Sequence, residues 1–178
     1  MPRLSEALDS VLGPEEMNAL VLLRDGMGLD IARTHQFWES FVAVATSGRL
    51  TPRSCPWDVE LDHYAEPIRI EVKFSQEFDC VFRNGTRPVL KFALPRGGGV
   101  AKPSDVTVFI GIDSADDVHC WVAPTTVIPQ VASITMTSPR VRVGRSRTGL
   151  DSWECPPSEL LPAVLHTWRI TLADRSAA

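Results

Sequence analysis

Two carboxylates and a lysine on short, strand-like stretches are the residues of this chain best placed to do chemistry. The first stretch reads Pro56-Trp57-Asp58-Val59-Glu60-Leu61. After a turn over 62–67 the second reads Ile68-Arg69-Ile70-Glu71-Val72-Lys73-Phe74-Ser75. Side chains alternate faces along a strand, so Glu71, Lys73 and Ser75 share one side while Ile70, Val72 and Phe74 take the other. The apolar set belongs in a core, which leaves Glu71 and Lys73 displayed together as an acid and a base. If the first stretch pairs with the second, Asp58 comes alongside Glu71. Two converging carboxylates repel, and desolvation raises their pKa values. A divalent cation resolves that conflict, and hard oxygen donors favour Mg²⁺. The opposing reading is an ion pair of Glu71 and Lys73 on an exposed edge strand, contributing roughly a few tenths of a kcal/mol.

The elements that must position these groups are readable from periodicity. Residues 5–12 form a short helix closed by Gly13, and Pro14 with Glu15 and Glu16 opens a second one. Asp30 is the expected cap of a third, longer helix. There Ile31, Trp38, Phe41, Val42 and Ala45 recur at near-helical spacing, and Gly48 is expected to stop it. From Pro52 the pattern changes to strands: 57–61, 68–74, 81–82, 89–94, a buried run at 106–112 and another at 118–123 after an acidic turn. Ile134, Met136, Val141 and Val143 give further strand pieces around Pro139, and 158–168 reads as a closing helix capped by Ser158. Helices, a strand-rich middle and a final helix make a mixed α/β or α+β domain. Residues 1–28 read as a helical extension and 29–178 as the domain proper.

With that order in place, the segment around 30–75 resembles the PD-(D/E)xK nuclease superfamily, the fold of restriction endonucleases and many repair nucleases. In that family an Asp on one strand and a Glu-x-Lys on the next form the site, and a further acid often comes from the helix before them. Here Asp58 stands thirteen positions before Glu71, Lys73 follows Glu71 by two, and Glu39 lies on the flank of the third helix as the only acid between Asp30 and Asp58. The proline is displaced by one, as Pro56-Trp57-Asp58, and Glu60 and Asp62 remain alternatives for the first acid.

The resemblance implies a restriction-endonuclease-like core: a mixed sheet flanked by helices, with an N-terminal helical extension. It implies a Mg²⁺-dependent DNA nuclease (Mn²⁺ as a substitute), with an endonuclease as the expectation. The metal would be held by Asp58, Glu71, the backbone carbonyl of Val72 and Glu39, and Lys73 would position the attacking water. By the same analogy a homodimer is expected. A reading from another class keeps the fold without catalysis, as a DNA-binding or assembly module in a defence or recombination complex. A third is a β-rich interaction domain in which Glu71 and Lys73 are a surface pair.

A nuclease must neutralise phosphates. Arg83, Arg87, Lys91, Arg96 and Lys102 occur with no intervening acid, and Arg140, Arg142, Arg145 and Arg147 crowd a Gly/Ser/Thr-containing segment that is the candidate DNA contact. A solvated loop balanced by acids elsewhere is the competing explanation. The chain as a whole is acidic, with 18 Lys+Arg against 22 Asp+Glu, a net charge of −4 and a pI near 5.5, which excludes a protein that coats nucleic acid by bulk charge. Residues 96–104 lack the spacing of a phosphate-binding loop, so no nucleotide cofactor is expected, and 113–117 lack the pattern of a calcium loop. The four cysteines, Cys55, Cys80, Cys120 and Cys155, lie far apart and read as free thiols. His119 and Trp121 share a strand face and read as structural. No apolar run approaches the roughly 18–20 residues of a membrane span, and a cytoplasmic location without a membrane partner is the expectation.

Overall fold

The computed structural model describes residues 2–22, 30–63, 66–94, 103–141 and 148–176. Helix α1 (Leu4–Asp9) leads to α2 (Pro14–Val21), which starts on Gly13 with Pro14 in its first turn beside Glu15 and Glu16. The third helix, α3 (His35–Thr46), begins later than its periodicity predicts. Thr34 is its cap, with an extended backbone and a hydroxyl that accepts from the Phe37 amide at 3.4 Å. Asp30 instead precedes a separate 3₁₀ turn, Ile31–Arg33, and binds the Arg33 guanidinium at 2.7 Å. The Trp38 indole donates to the Ala32 carbonyl at 2.8 Å, tying that turn to the helix. At the other end Ser47, not Gly48, adopts the left-handed conformation that stops α3.

Nine strands follow among the described residues: β1 (Arg49–Leu50), β2 (Val59–Leu61), β3 (Ile68–Gln76), β4 (Phe78–Phe82), β5 (Gly85–Ala93), β6 (Val106–Ile112), β7 (Val118–Pro124), β8 (Ser133–Thr137) and β9 (Glu154–Cys155). Helix α4 (Leu160–Ser176) closes the chain. Its cap is not Ser158, which lies in a preceding 3₁₀ turn, Pro157–Glu159. Val141 falls in a turn after Ser138 and extends no strand, and Val143 lies outside the described residues.

The expected mixed sheet flanked by helices is present. Six strands take the order β1-β2-β3-β6-β7-β9, in which β3 and β6 run parallel and the other neighbours antiparallel. One face of this sheet packs on α3 and α4 through Trp38, Phe41, Val42, Ile70, Val72 and Val164. Ala7 and Leu8 of α1 are buried in the same core. The other face carries a second, three-stranded antiparallel sheet, β4-β5-β8, whose Leu90, Phe92, Ile134 and Met136 pack on Phe109 and Trp121. Alternation along β3 therefore sends Ile70, Val72 and Phe74 toward the helices and Glu71, Lys73 and Ser75 toward the smaller sheet. The Ser75 hydroxyl accepts from the Lys91 amide of β5 at 2.9 Å, which pins the two sheets together beside the acid–base pair. None of the helices formed by the described residues is long and apolar enough to cross a membrane.

Candidate active site

Asp58 is held by its backbone on both sides. Its carbonyl accepts from the Thr51 amide at 3.0 Å, and its amide donates to the Ile70 carbonyl at 3.0 Å. Val59 is already the ladder partner of Ile70, so two residues of this segment address one on β3, the count of a β-bulge. The expected strand over 57–61 is accordingly shorter: Trp57 and Asp58 lie in a bend ahead of β2. The bend has a purpose visible in the side chain. Asp58 Oδ2 accepts from the Val72 amide at 2.7 Å, replacing the ladder bond that a straight β2 would have made. Within a strand the N–H and C=O of one residue project to the same side, so the Val72 carbonyl also faces the Asp58 segment.

Glu71 and Lys73 form a direct ion pair, Nζ to Oε1, with side chains only 6% and 14% exposed respectively. That degree of enclosure removes the surface-pair explanation, because an edge-strand pair would be open to water. Thr107 of β6 is the register partner of Glu71 and lies on the same face. Glu39 stands on α3, on the helical side of the sheet, with His35 Nδ1 at 3.9 Å from its Oε1. Its carboxyl is held above the usual carboxylate range, first by burial and then by the charge of Asp58; His35 and Lys73 act in the opposite sense and Glu71 adds to the rise. Glu39 therefore lies within electrostatic reach of all three other predicted site residues. The alternatives for the first acid are placed elsewhere: Glu60 is bound by Arg49 of β1, and Asp62 is exposed.

Asp58, Glu71 and Lys73 line one cavity of about 1010 Å³ between the main sheet and the end of β5. Its other walls include Leu94, Ile128, Val131 and a group of hydroxyls that sequence reading missed. Ser104 Oγ lies 3.2 Å and Thr107 Oγ1 2.9 Å from Thr125 Oγ1. The one available signal was Thr107, a polar residue inside an otherwise apolar strand run.

The predicted nucleic-acid contacts are only partly placed. Arg140 is bound to Glu77 at 3.1 Å, while Arg142, Arg145 and Arg147 lie outside the described residues, as do Arg96 and Lys102. Arg83, Arg87 and Lys91 are exposed around the β4–β5 hairpin, with the Arg87 guanidinium 5.1 Å from the Phe82 ring centre. His119 is structural as expected: it is buried, 3.2 Å from Asp113 through Nε2 and stacked on Trp121.

Among the described residues, no three His, Cys, Asp or Glu side chains make a ready-built metal cage. The donor chemistry still fits Mg²⁺, which is commonly held through one or two carboxylates and keeps several of its waters. Asp58, Glu71 and the Val72 carbonyl are all hard oxygen donors on neighbouring positions.

No known protein family's profile matches the chain, and no curated protein does. A solved structure of a bacterial homing endonuclease is similar, with a TM-score of 0.49 and 14% sequence identity, covering 81% of this chain and 93% of that one. A likeness that distant transfers no residue roles.

Proposed function

We propose that this protein is a metal-dependent nuclease that hydrolyses phosphodiester bonds in DNA, with Asp58, Glu71 and Lys73 at its centre and Glu39 at the margin. The observation that carries the reading is the convergence of the first three on one cavity wall, with the Asp58 carboxylate hydrogen-bonded to the amide between Glu71 and Lys73. Such an arrangement is expensive unless it has a use: acids of one sign are drawn together and partly desolvated, with one lysine to balance them.

In this reading Asp58, Glu71 and the Val72 carbonyl would hold Mg²⁺, and Glu39 would reach it directly or through water. Bound there, the cation would polarise the scissile phosphate and acidify a water. The chain's own groups do the rest. Asp58 is oriented by the Val72 amide, which donates to its Oδ2 at 2.7 Å. Lys73 exchanges part of its contact with Glu71 for the non-bridging phosphate oxygen. Its ammonium then lies where negative charge grows, an electrostatic contribution of roughly 3–4 kcal/mol for a preorganised donor.

The deciding experiment is incubation with supercoiled plasmid and Mg²⁺ or Mn²⁺, beside Asp58→Asn and Lys73→Ala. Cutting that depends on the cation and is lost in both folded variants is the expected result. Absence of cutting by the parent protein under both cations would refute the proposal.

A second reading rests on the same ion pair. Glu71 is already neutralised by Lys73, so the fold is satisfied without a cation, as in a catalytically silent DNA-binding module. It requires DNA binding that is indifferent to divalent ions and never followed by strand scission.

A further inference from the structure

Strand β5 outruns the three-stranded sheet it belongs to. Its partner β8 pairs with it only over Val89–Ala93, and the Ser138 amide adds one last bond to the Pro88 carbonyl. From there to the turn at Arg83 and Asn84, β5 has β4 as its ladder partner: Cys80 faces Arg87, Val81 faces Thr86 and Phe82 faces Gly85. Residues 81–87 are exposed on both faces of this two-stranded ribbon, Val81 to 81%. A two-stranded hairpin is marginal in water by itself, and leaving Val81 and Phe82 uncovered adds to the cost. The ribbon's charge is also one-sided, in a chain whose net charge is −4. Arg83, Arg87 and Lys91 are exposed on the ribbon and at its base, and the Arg87 guanidinium lies 5.1 Å from the centre of the Phe82 ring. Between Phe78 and Leu94 the sequence has one acid, Asp79, which lies at the ribbon's base within electrostatic reach of Arg140.

We infer that the β4–β5 ribbon is the arm with which this protein grips duplex DNA, entering the major groove and laying the duplex across the candidate active site. The inference takes its substrate from the nuclease reading above. Shape supports it, because the major groove of B-DNA, about 12 Å wide, admits a two-stranded ribbon. Charge supports it, because cations without an acid among residues 80–87 meet a polyanion favourably. The exposed side chains of Val81 and Thr86, opposite one another on one face, present methyl groups that suit the thymine methyl in that groove. Position joins the arm to the chemistry. Strand β5 runs from the ribbon's tip to Ala93, which lines the same cavity as Asp58, Glu71 and Lys73. Arg87 stands six residues before Ala93. At roughly 3.4 Å per residue that is about 20 Å, the length of about six base-pair steps. One duplex lying along β5 therefore reaches the ribbon and the site together.

The test is the fluorescence anisotropy of a labelled blunt duplex, measured over a range of salt with Ca²⁺ in place of Mg²⁺ to withhold cutting. The parent protein is expected to bind, with log affinity falling linearly as log salt rises. Arg83→Gln, Arg87→Gln and Lys91→Gln in one chain are expected to weaken binding by roughly tenfold or more and to flatten the salt slope by about 0.9 for each cation lost. Arg169→Gln, an exposed cation on α4 across the main sheet, is expected to leave the affinity within about twofold of the parent's. Val81→Glu, which puts an acid where the groove would close on it, is expected to weaken binding as much as the triple change while the melting temperature stays as in the parent. Methyl green, which occupies the major groove, is expected to displace the protein, and netropsin, which occupies the minor groove, is not. Binding that survives the triple change or Val81→Glu, or that netropsin alone blocks, would overturn the arm; plasmid cutting by the parent would then leave the nuclease reading standing. A parent that binds no duplex even in low salt would also overturn it, and self-association abolished by Val81→Glu would make the ribbon a contact between copies. Binding lost in the variants, with no cutting by the parent under Mg²⁺ or Mn²⁺, would support the arm and overturn the nuclease reading.

Discussion

Asp58 has two separable tasks, and two substitutions distinguish them. As a hydrogen-bond acceptor it satisfies the Val72 amide; as a charge it would bind the cation. Asp58→Asn keeps an oxygen for the amide and loses the charge, so stability within about 1 kcal/mol of the parent is expected together with loss of cutting by roughly a hundredfold or more. Asp58→Ala loses both, and an orphaned amide adds about 1–3 kcal/mol of destabilisation, measurable by urea unfolding. Glu39 gives a prediction of the opposite kind. Its folded-state pKa is raised above the usual 4.5, first by burial and then by Asp58, so the native protein binds this proton more tightly than the unfolded chain does. Stability from this group is therefore present at low pH and is lost as pH climbs from the ordinary value through the raised one. Glu39→Gln should match the parent in urea at pH 4 and exceed it at pH 7.5, without divalent cations. A variant no more stable at pH 7.5 would mean that Glu39 is not strained. At this scale the sequence was informative where chemistry dictates spacing, as in Glu71-Val72-Lys73. It was silent on Ser104 and Thr125, whose meeting with Thr107 depends on long-range packing.

Elements were recoverable wherever one periodicity persisted, as in β6 and β7, whose limits the apolar runs marked almost to the residue. They were misjudged where a side chain competed with the backbone. Thr34 took the cap that Asp30 was expected to fill, and the Asp58 carboxylate displaced a ladder bond and shortened β2. The second sheet was not foreseeable as a separate layer, since nothing local to β5 says that it leaves β3 and pairs with β8. Its close seat depends on Gly111 of β6: a Cβ there would come within 2.5 Å of a Leu90 methyl. Gly111→Ala is thus expected to destabilise by about 1–3 kcal/mol through overpacking, and Leu90→Val in the same chain should recover part of that loss. The β6–β7 turn makes a second prediction. Asp113 accepts from the Ala115 and Asp117 amides at 2.8 and 3.0 Å and from His119. Burial pushes its pKa up, but the bonds from His119 and the two amides outweigh this and leave it below the usual 3.8. A depressed carboxylate stabilises the fold above its unfolded value and loses that contribution as pH falls through the folded one. Asp113→Ala should therefore unfold at lower urea than the parent at pH 7, with the gap narrowing below pH 4.

For the whole molecule, the main consequence is that the site lies in the seam between two sheets, at the end of the helical layer. Its residues come from α3, the bend before β2, β3 and β6, so no single element can hold it if the layers part. Binding a cation there must then stabilise the entire fold, because the unfolded chain has no equivalent site. At a Mg²⁺ concentration a hundred times its dissociation constant the linkage is worth about 2.7 kcal/mol. For a domain of this size that corresponds to a rise of roughly 5–10 °C in melting temperature. Asp58→Asn should erase the rise, since it removes a donor charge without unmaking the seam. Glu39→Gln should begin from a higher melting temperature and gain less, because the repulsion that the cation would relieve is already gone. Phe92→Ala should behave differently from both. It opens a cavity between the sheets at a cost of about 3–5 kcal/mol, yet leaves every proposed ligand in place, so its melting temperature starts lower and still climbs with Mg²⁺ by the parent's increment. A parent protein whose unfolding is indifferent to Mg²⁺ at every concentration tested would leave the crowding of Asp58, Glu71 and Glu39 to be explained by packing alone.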